Sequence, residues 1–124
     1  MNFEVNGKEY DLKFGLKFIR ELDKSYTQKV ESMEFGVGVE TAMTYIQMKN
    51  PTVLYELIKA STAHLKSKPS NFHIEQELEE RAENEEIDNL YQEFQEAMES
   101  SVFLKPKFKQ MKEMNEQAEE NPIQ

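Results

Sequence analysis

Between two short alternating runs, Phe3/Val5 and Tyr10/Leu12, stands the dipeptide Asn6-Gly7. A two-residue type I′ turn needs positive φ at both central positions, and Asn-Gly tolerates it best. The spacing therefore predicts a β-hairpin over residues 2–13, with Phe3, Val5, Tyr10 and Leu12 on one face. Two strands alone are marginally stable and must lay that face on something. The chain runs straight on into Phe14, Phe18, Ile19, Leu22 and Tyr26, which fall at helical spacing and share one side of a helix. Charged residues fill the other side. A helix over 15–26 is thus predicted, as the cover for the hairpin and the centre of the core.

After this opening the chain reads as helices. Thr27 and Gln28 interrupt the first one, and residues 27–38 are predicted to be a loop. Its Gly36-Val37-Gly38 is no dinucleotide fingerprint, because no third glycine follows at the right offset and no βαβ unit surrounds it; it reads as flexible backbone. A second helix is predicted over 39–49, with Val39, Ala42, Met43 and Ile46 inward. Tyr45 and Met48 fall off that stripe, either as ordinary surface residues or as a second contact face. Asn50-Pro51 is a start signal, Asn50 as cap and Pro51 in the first turn. The third helix should run to about Lys66, burying Val53, Leu54, Leu57, Ile58, Ser61 and Leu65, and pair with the second. Its Ala60, Ser61 and Ala63 would admit a close neighbour.

Lys66 to Ser70 breaks the pattern. From Glu75 to Glu99 the charges are acidic apart from Arg81. Ile74 and Leu78 suggest a short helix ending near Ala82. A longer one over 85–100 has the stripe Ile87, Leu90, Tyr91, Phe94, Ala97 and Met98. Residues 1–100 are expected to form one hairpin-plus-helices domain, followed by a basic then polar segment over 101–124. A helix over 106–117 is expected there, and the last eight residues should fray. The resulting fold class is α+β, mostly helical: an N-terminal β-hairpin packed on four to five helices, with a flexible C-terminal tail.

Charge and residue usage narrow the function. A net charge of −9 argues against nucleic acid as a direct partner and against anionic membrane surfaces. There is no cysteine, which removes disulfides and thiolate chemistry. No segment reads as a signal peptide or a membrane span. His64 and His73 lack companions at ligand spacing. Glu75, Glu79 and Glu83 line one helix face, but acids this dense read as a solvated surface rather than an acid/base pair. Ser25, Ser61 and Ser67 lie in no nucleophile motif, and no P-loop is present. Neither a metal, a cofactor nor a catalytic group is expected, so an interaction protein remains. Methionine is adaptable at apolar contacts. Met43 and Met98 belong to inner stripes, whereas Met111 and Met114, with Phe103 and Phe108, sit in a segment too sparse to build its own core. These four, with Tyr45 and Met48, are the candidate partner-binding residues.

The opening run Phe3-Glu4-Val5-Asn6-Gly7-Lys8-Glu9-Tyr10, continuing through Leu12-Lys13-Phe14-Gly15-Leu16-Lys17-Phe18-Ile19-Arg20-Glu21-Leu22-Asp23, resembles the start of the tail assembly chaperones of long-tailed phages and prophages of Gram-positive bacteria. Gly36-Val37-Gly38-Val39-Glu40, the Asn50-Pro51 helix start, Ile87-Asp88-Asn89-Leu90-Tyr91 and the Ser100–Lys107 region fit the same pattern. The resemblance covers most of residues 1–110. It implies a chaperone that coats the long, helical, aggregation-prone tape measure protein while tail tube subunits polymerise around it. It further implies a longer frameshifted form that engages the tail tube protein, action in the cytoplasm of the bacterial host, and absence from the mature virion. The apolar tail would dock on the tape measure protein or, in self-association, on a neighbouring copy. The contrasting reading is an acidic adaptor or inhibitor that occupies a basic site on another protein.

Overall fold

The computed structural model describes residues 1–120. Strands β1 (Asn2–Val5) and β2 (Lys8–Asp11) pair antiparallel with Phe3 opposite Tyr10 and Val5 opposite Lys8. Asn6 and Gly7 both carry positive φ, 52° and 77°, as the turn requires. Phe3, Val5 and Leu12 are buried and Tyr10 is half-buried. Helix α1 (Leu16–Ser25) buries Phe18 and Leu22, with Phe14, Ile19 and Tyr26 packed at the edge of the core.

The hairpin is not covered by α1 as expected. Its principal helix contact is α4 (Asn71–Glu83), and α5 (Ile87–Glu99) reaches under it. The Phe3 ring lies 6.4 Å from Phe94, and the Arg81 guanidinium stacks 4.4 Å over its face. The lone cation of the acidic segment is therefore a packing group, held by its Nε–H donated to Glu77 at 3.0 Å. Ser70 caps α4 by accepting the His73 N–H at 3.1 Å. That cap starts the helix three residues before Ile74, so α4 is longer than its two apolar residues suggested.

The segment 27–38 is not a loop. It forms a second antiparallel hairpin, β3 (Thr27–Val30) and β4 (Met33–Gly36), with a turn at Glu31, whose φ is 58°. Neither Asn nor Gly occupies that turn, so the local signal that marked the first hairpin is missing here.

Helix α2 (Gly38–Gln47) buries Val39, Ala42, Met43 and Ile46 as predicted. Helix α3 (Thr52–Thr62) follows Asn50-Pro51. Asn50 accepts the Thr52 N–H at 3.1 Å and Pro51 is already helical (φ −68°, ψ −18°). The helix ends four residues early, at Thr62, and makes its most extensive helix contact with α1 rather than α2. Val53, Leu54, Leu57 and Ile58 have no exposed surface, so α3 is the centre of the fold. Its buried Ser61 and Thr62 hydroxyls donate back to Leu57 and Ile58 carbonyls at 2.7 and 2.8 Å, which removes the cost of burying them. The Ser61 carbonyl accepts the Lys13 N–H at 3.0 Å and ties the hairpin–α1 junction to α3.

Helix α5 buries Leu90, Tyr91, Phe94 and Met98. Ser101 after it donates its hydroxyl to the Phe14 carbonyl at 2.6 Å, and Leu104 is buried in the same core. Helix α6 (Lys105–Glu120) then runs on, and residues 121–124, part of the stretch expected to fray, lie outside the described residues.

Candidate partner-binding surface

The second hairpin is seated on α1 through glycine. A Cβ on Gly38 would stand 2.6 Å from the Leu22 carbonyl carbon and 2.7 Å from the Asp23 nitrogen, both backbone atoms. One on Gly36 would meet the Asp23 carboxyl at 2.5 Å. These glycines are thus close-approach positions, not flexible backbone. At the same junction the Gly38 N–H donates to Asp23 Oδ1 at 2.8 Å. Gly38 is the first residue of α2, so a carboxylate from α1 caps that helix where its orphan donors and dipole favour negative charge. The Val37 N–H donates to the Tyr26 carbonyl at 3.0 Å.

This seating holds the hairpin at one end and leaves all of its strand residues exposed. Alternate residues of a strand share a face, and the register sets Gln28 opposite Phe35 and Val30 opposite Met33. Gly36 points at Asp23, so Phe35, Met33 and Val30 point the other way. They are 46%, 60% and 50% exposed. Among the described residues the sheet has only these two strands, so its outer edges are unpaired. An apolar face beside open strand edges is what proteins ordinarily cover.

The sequence-predicted contact residues are scattered around the fold. Tyr45 is half-buried, with its ring edge-on to Tyr26 at 5.7 Å. Met48, at the end of α2, is exposed. Phe103 is exposed in the turn between α5 and α6. Phe108 and Met111 are half-buried against the body, beside Met43 and Gln47 of α2. Met114 is exposed one turn further on. Only Phe108 and Met111 are brought together. Val30, Met33 and Phe35 were missed, although the Met-Glu-Phe alternation carried a weak strand signal that the loop reading overrode. Phe72 and Val102 are also exposed.

The polar surface is consistent with non-covalent contact. The acids from Glu75 to Glu99 are exposed except Glu77. Among the described residues no group of three His, Cys, Asp or Glu side chains could hold a metal ion, and no helix is long and apolar enough to cross a membrane. The His73 ring nitrogen Nδ1 lies 2.8 Å from the Ser70 hydroxyl at the start of α4.

Tyr26, at the hinge between α1 and the second hairpin, has its hydroxyl pushed up to about 12, chiefly by burial and then by the nearby charges of Glu56 and Tyr45. The folded chain holds that proton more tightly than the unfolded one. The associated stability is complete below the ordinary tyrosine value of 10.0 and is lost as pH rises toward about 12. Denaturant midpoints measured between these two values should fall less steeply for Tyr26→Phe than for the parent chain; equal slopes would contradict the assignment.

No curated protein and no solved structure matches the chain. A family model does, that of the phage tail assembly chaperone protein, over residues 2–113. The match spans both hairpins, α1 to α5 and the docked half of α6. That match covers most of a fold with an exposed apolar hairpin and an exposed acidic flank, and the chain belongs to the phage tail assembly chaperones.

Proposed function

We propose that this chaperone binds the tape measure protein non-covalently, keeps it soluble and assists tail tube assembly, the tube protein being engaged through a longer frameshifted form. It acts in the cytoplasm of the bacterial host as a binding protein rather than an enzyme and does not remain in the mature virion. The observation that carries the reading is the apolar face of the second hairpin, where Val30, Met33 and Phe35 stand exposed together on an element anchored to α1 at Gly36 and Gly38. A long helical protein with apolar stripes supplies the complementary surface. Covering such side chains contributes on the order of 1 kcal/mol or more each. Phe103, Met48 and Met114 extend the adaptable contacts, with Tyr45, Phe108 and Met111 behind them, and the exposed acids keep the complex soluble.

Co-expression with the tape measure protein tests this. The parent chain should raise the soluble fraction of the tape measure several-fold. Val30→Asp/Phe35→Asp should lose most of that gain while keeping its own melting temperature, because both positions are half exposed or nearly so. A tape measure that is equally insoluble with and without the parent chain would overturn the proposal.

A further inference from the structure

Helix α6 lies over a groove that it does not fill. It is held by Leu104, buried in the turn just before it, and by half-buried Phe108 and Met111, three side chains at i, i+4 and i+7. From Lys112 to Gln117 every residue is exposed. Under the docked half, a groove of about 570 Å³ stays open between Met43 and Gln47 of α2, Gln95 and Glu99 of α5, and Phe108 and Met111. The groove is open to solvent and α6 itself forms one wall of it through Lys109, Lys112 and Asn115, so only Phe108 and Met111 of the helix make apolar contact with the body, and each is half-buried.

Charge adds direction. Lys107 Nζ stands 3.0 Å from Glu40 Oε2 on α2. Lys109 and Lys112 line the same groove as Glu99. The helix carries four lysines before its first acid, Glu113, and meets one acid in the groove, Glu99, and one beside it, Glu40. The helix that lies on the groove is thus basic and amphipathic.

We propose that α6 is a displaceable strap, and that the α2–α5 groove is a docking site for a partner helix with apolar side chains at i, i+4 and i+7 flanked by lysine or arginine. The inference rests on the chaperone reading only for the partner's identity, a helical stretch of the tape measure protein. A short tether gives α6 an effective concentration in the millimolar range. Stray helices in dilute solution are therefore excluded, whereas a long partner offering many better-fitting repeats displaces it. The apparent affinity for that partner is reduced by the fraction of chains in which the strap is closed.

The test uses the full chain and a fluorescein-labelled synthetic peptide of residues 101–117 as the probe helix. Phe108→Ala/Met111→Ala, which loosens the strap, should bind the peptide about tenfold tighter than the parent. Lys107→Glu, which sets an acid against Glu40 without touching the core, should act in the same direction and decides the matter if the double variant does not fold. Adding Glu40→Lys/Glu99→Lys should abolish the gain. The titration contains no tape measure protein, so its failure leaves rescue by co-expression standing, and a failed rescue leaves the strap standing. Equal peptide affinity for the parent and both loosened variants would overturn the proposal. So would a parent chain that light scattering finds dimeric and that Phe108→Ala/Met111→Ala makes monomeric, because the groove's other occupant would then be α6 of a second copy.

Discussion

Replacing Phe94 by alanine is expected to remove about 3–5 kcal/mol of stability, a large part of the roughly 5–15 kcal/mol that holds a domain folded. Phe94 has no exposed surface. Its ring lies 6.4 Å from Phe3 of the first hairpin and 6.1 Å, edge-on, from Phe14 ahead of α1. Phe14 in turn meets Phe18 at 4.9 Å. One ring on the acidic half therefore joins three aromatics from the N-terminal half, and its loss leaves a cavity where three elements converge. The melting temperature should fall by roughly 10 °C or more. Amide protection in β1 should fall with it, since that strand loses its support. Phe103→Ala is the control: an exposed aromatic of the same size should shift stability by less than about 0.5 kcal/mol. A Phe94→Ala chain that melts within a degree or two of the parent would show that the two halves are stabilised independently.

Gly38→Ala is expected to destabilise by about 2–3 kcal/mol, although alanine is the better helix former by up to roughly 1 kcal/mol. The sign follows from what the new methyl meets. Its neighbours at 2.6–2.8 Å are backbone atoms of Leu22 and Asp23, which cannot rotate away. Helix α2 or α1 must shift, and the Asp23 cap at 2.8 Å stretches with it. Gly36→Ala meets the Asp23 side chain instead, whose carboxyl can turn aside while its Cβ at 2.6 Å is cleared by a shift of the exposed strand β4, so it should cost less by about 1 kcal/mol and mainly through the lost cap. Denaturant melts of the two variants side by side check the order. If Gly36→Ala is the more damaging, or if Gly38→Ala is neutral, the close approach of α2 to α1 is not what holds the second hairpin in place.

Much of this architecture was legible because its signals are local. Asn6-Gly7 fixes a turn within two residues. The stripes on α2, α3 and α5 repeat with the helical period, and most side chains they named are buried: Val39, Ala42, Met43 and Ile46, Val53, Leu54, Leu57, Ile58 and Ser61, and Leu90, Tyr91, Phe94 and Met98, whereas Ile87, Ala97 and Leu65, which lies past the end of α3, are half-buried. Asn50-Pro51 places a helix start to within two residues. The family resemblance, carried by the order of these same local features, is met by a family model over residues 2–113. The second hairpin was not legible. Its turn uses Glu31 in a left-handed conformation with no Asn or Gly, and all of its strand residues are exposed, so neither turn chemistry nor a buried alternation announced it.

The candidate surface divides along the same line. Met48, Phe103 and Met114 could be picked out as apolar residues without a stripe, and each is exposed. Phe108 and Met111 looked the same in sequence, yet they pack on the body because α2 and α5 happen to form a groove beneath them. Val30, Met33 and Phe35 are exposed because the second hairpin stands out from the body with every strand residue exposed and is held to α1 at its Gly36–Gly38 end.

The sequence by itself determined the first hairpin, the helices, the faces they bury and the absence of any catalytic motif, since each follows from backbone preferences and periodicity over a few residues. Only the tertiary structure decided that the acidic helices close over the first hairpin through Phe94 and Arg81, that two glycines are contact points, and that the second hairpin with its apolar residues is left to solvent. Those outcomes depend on which face meets which across dozens of residues. Pairings of that kind are chosen by shape and burial in the assembled core, and no short window of the chain contains them.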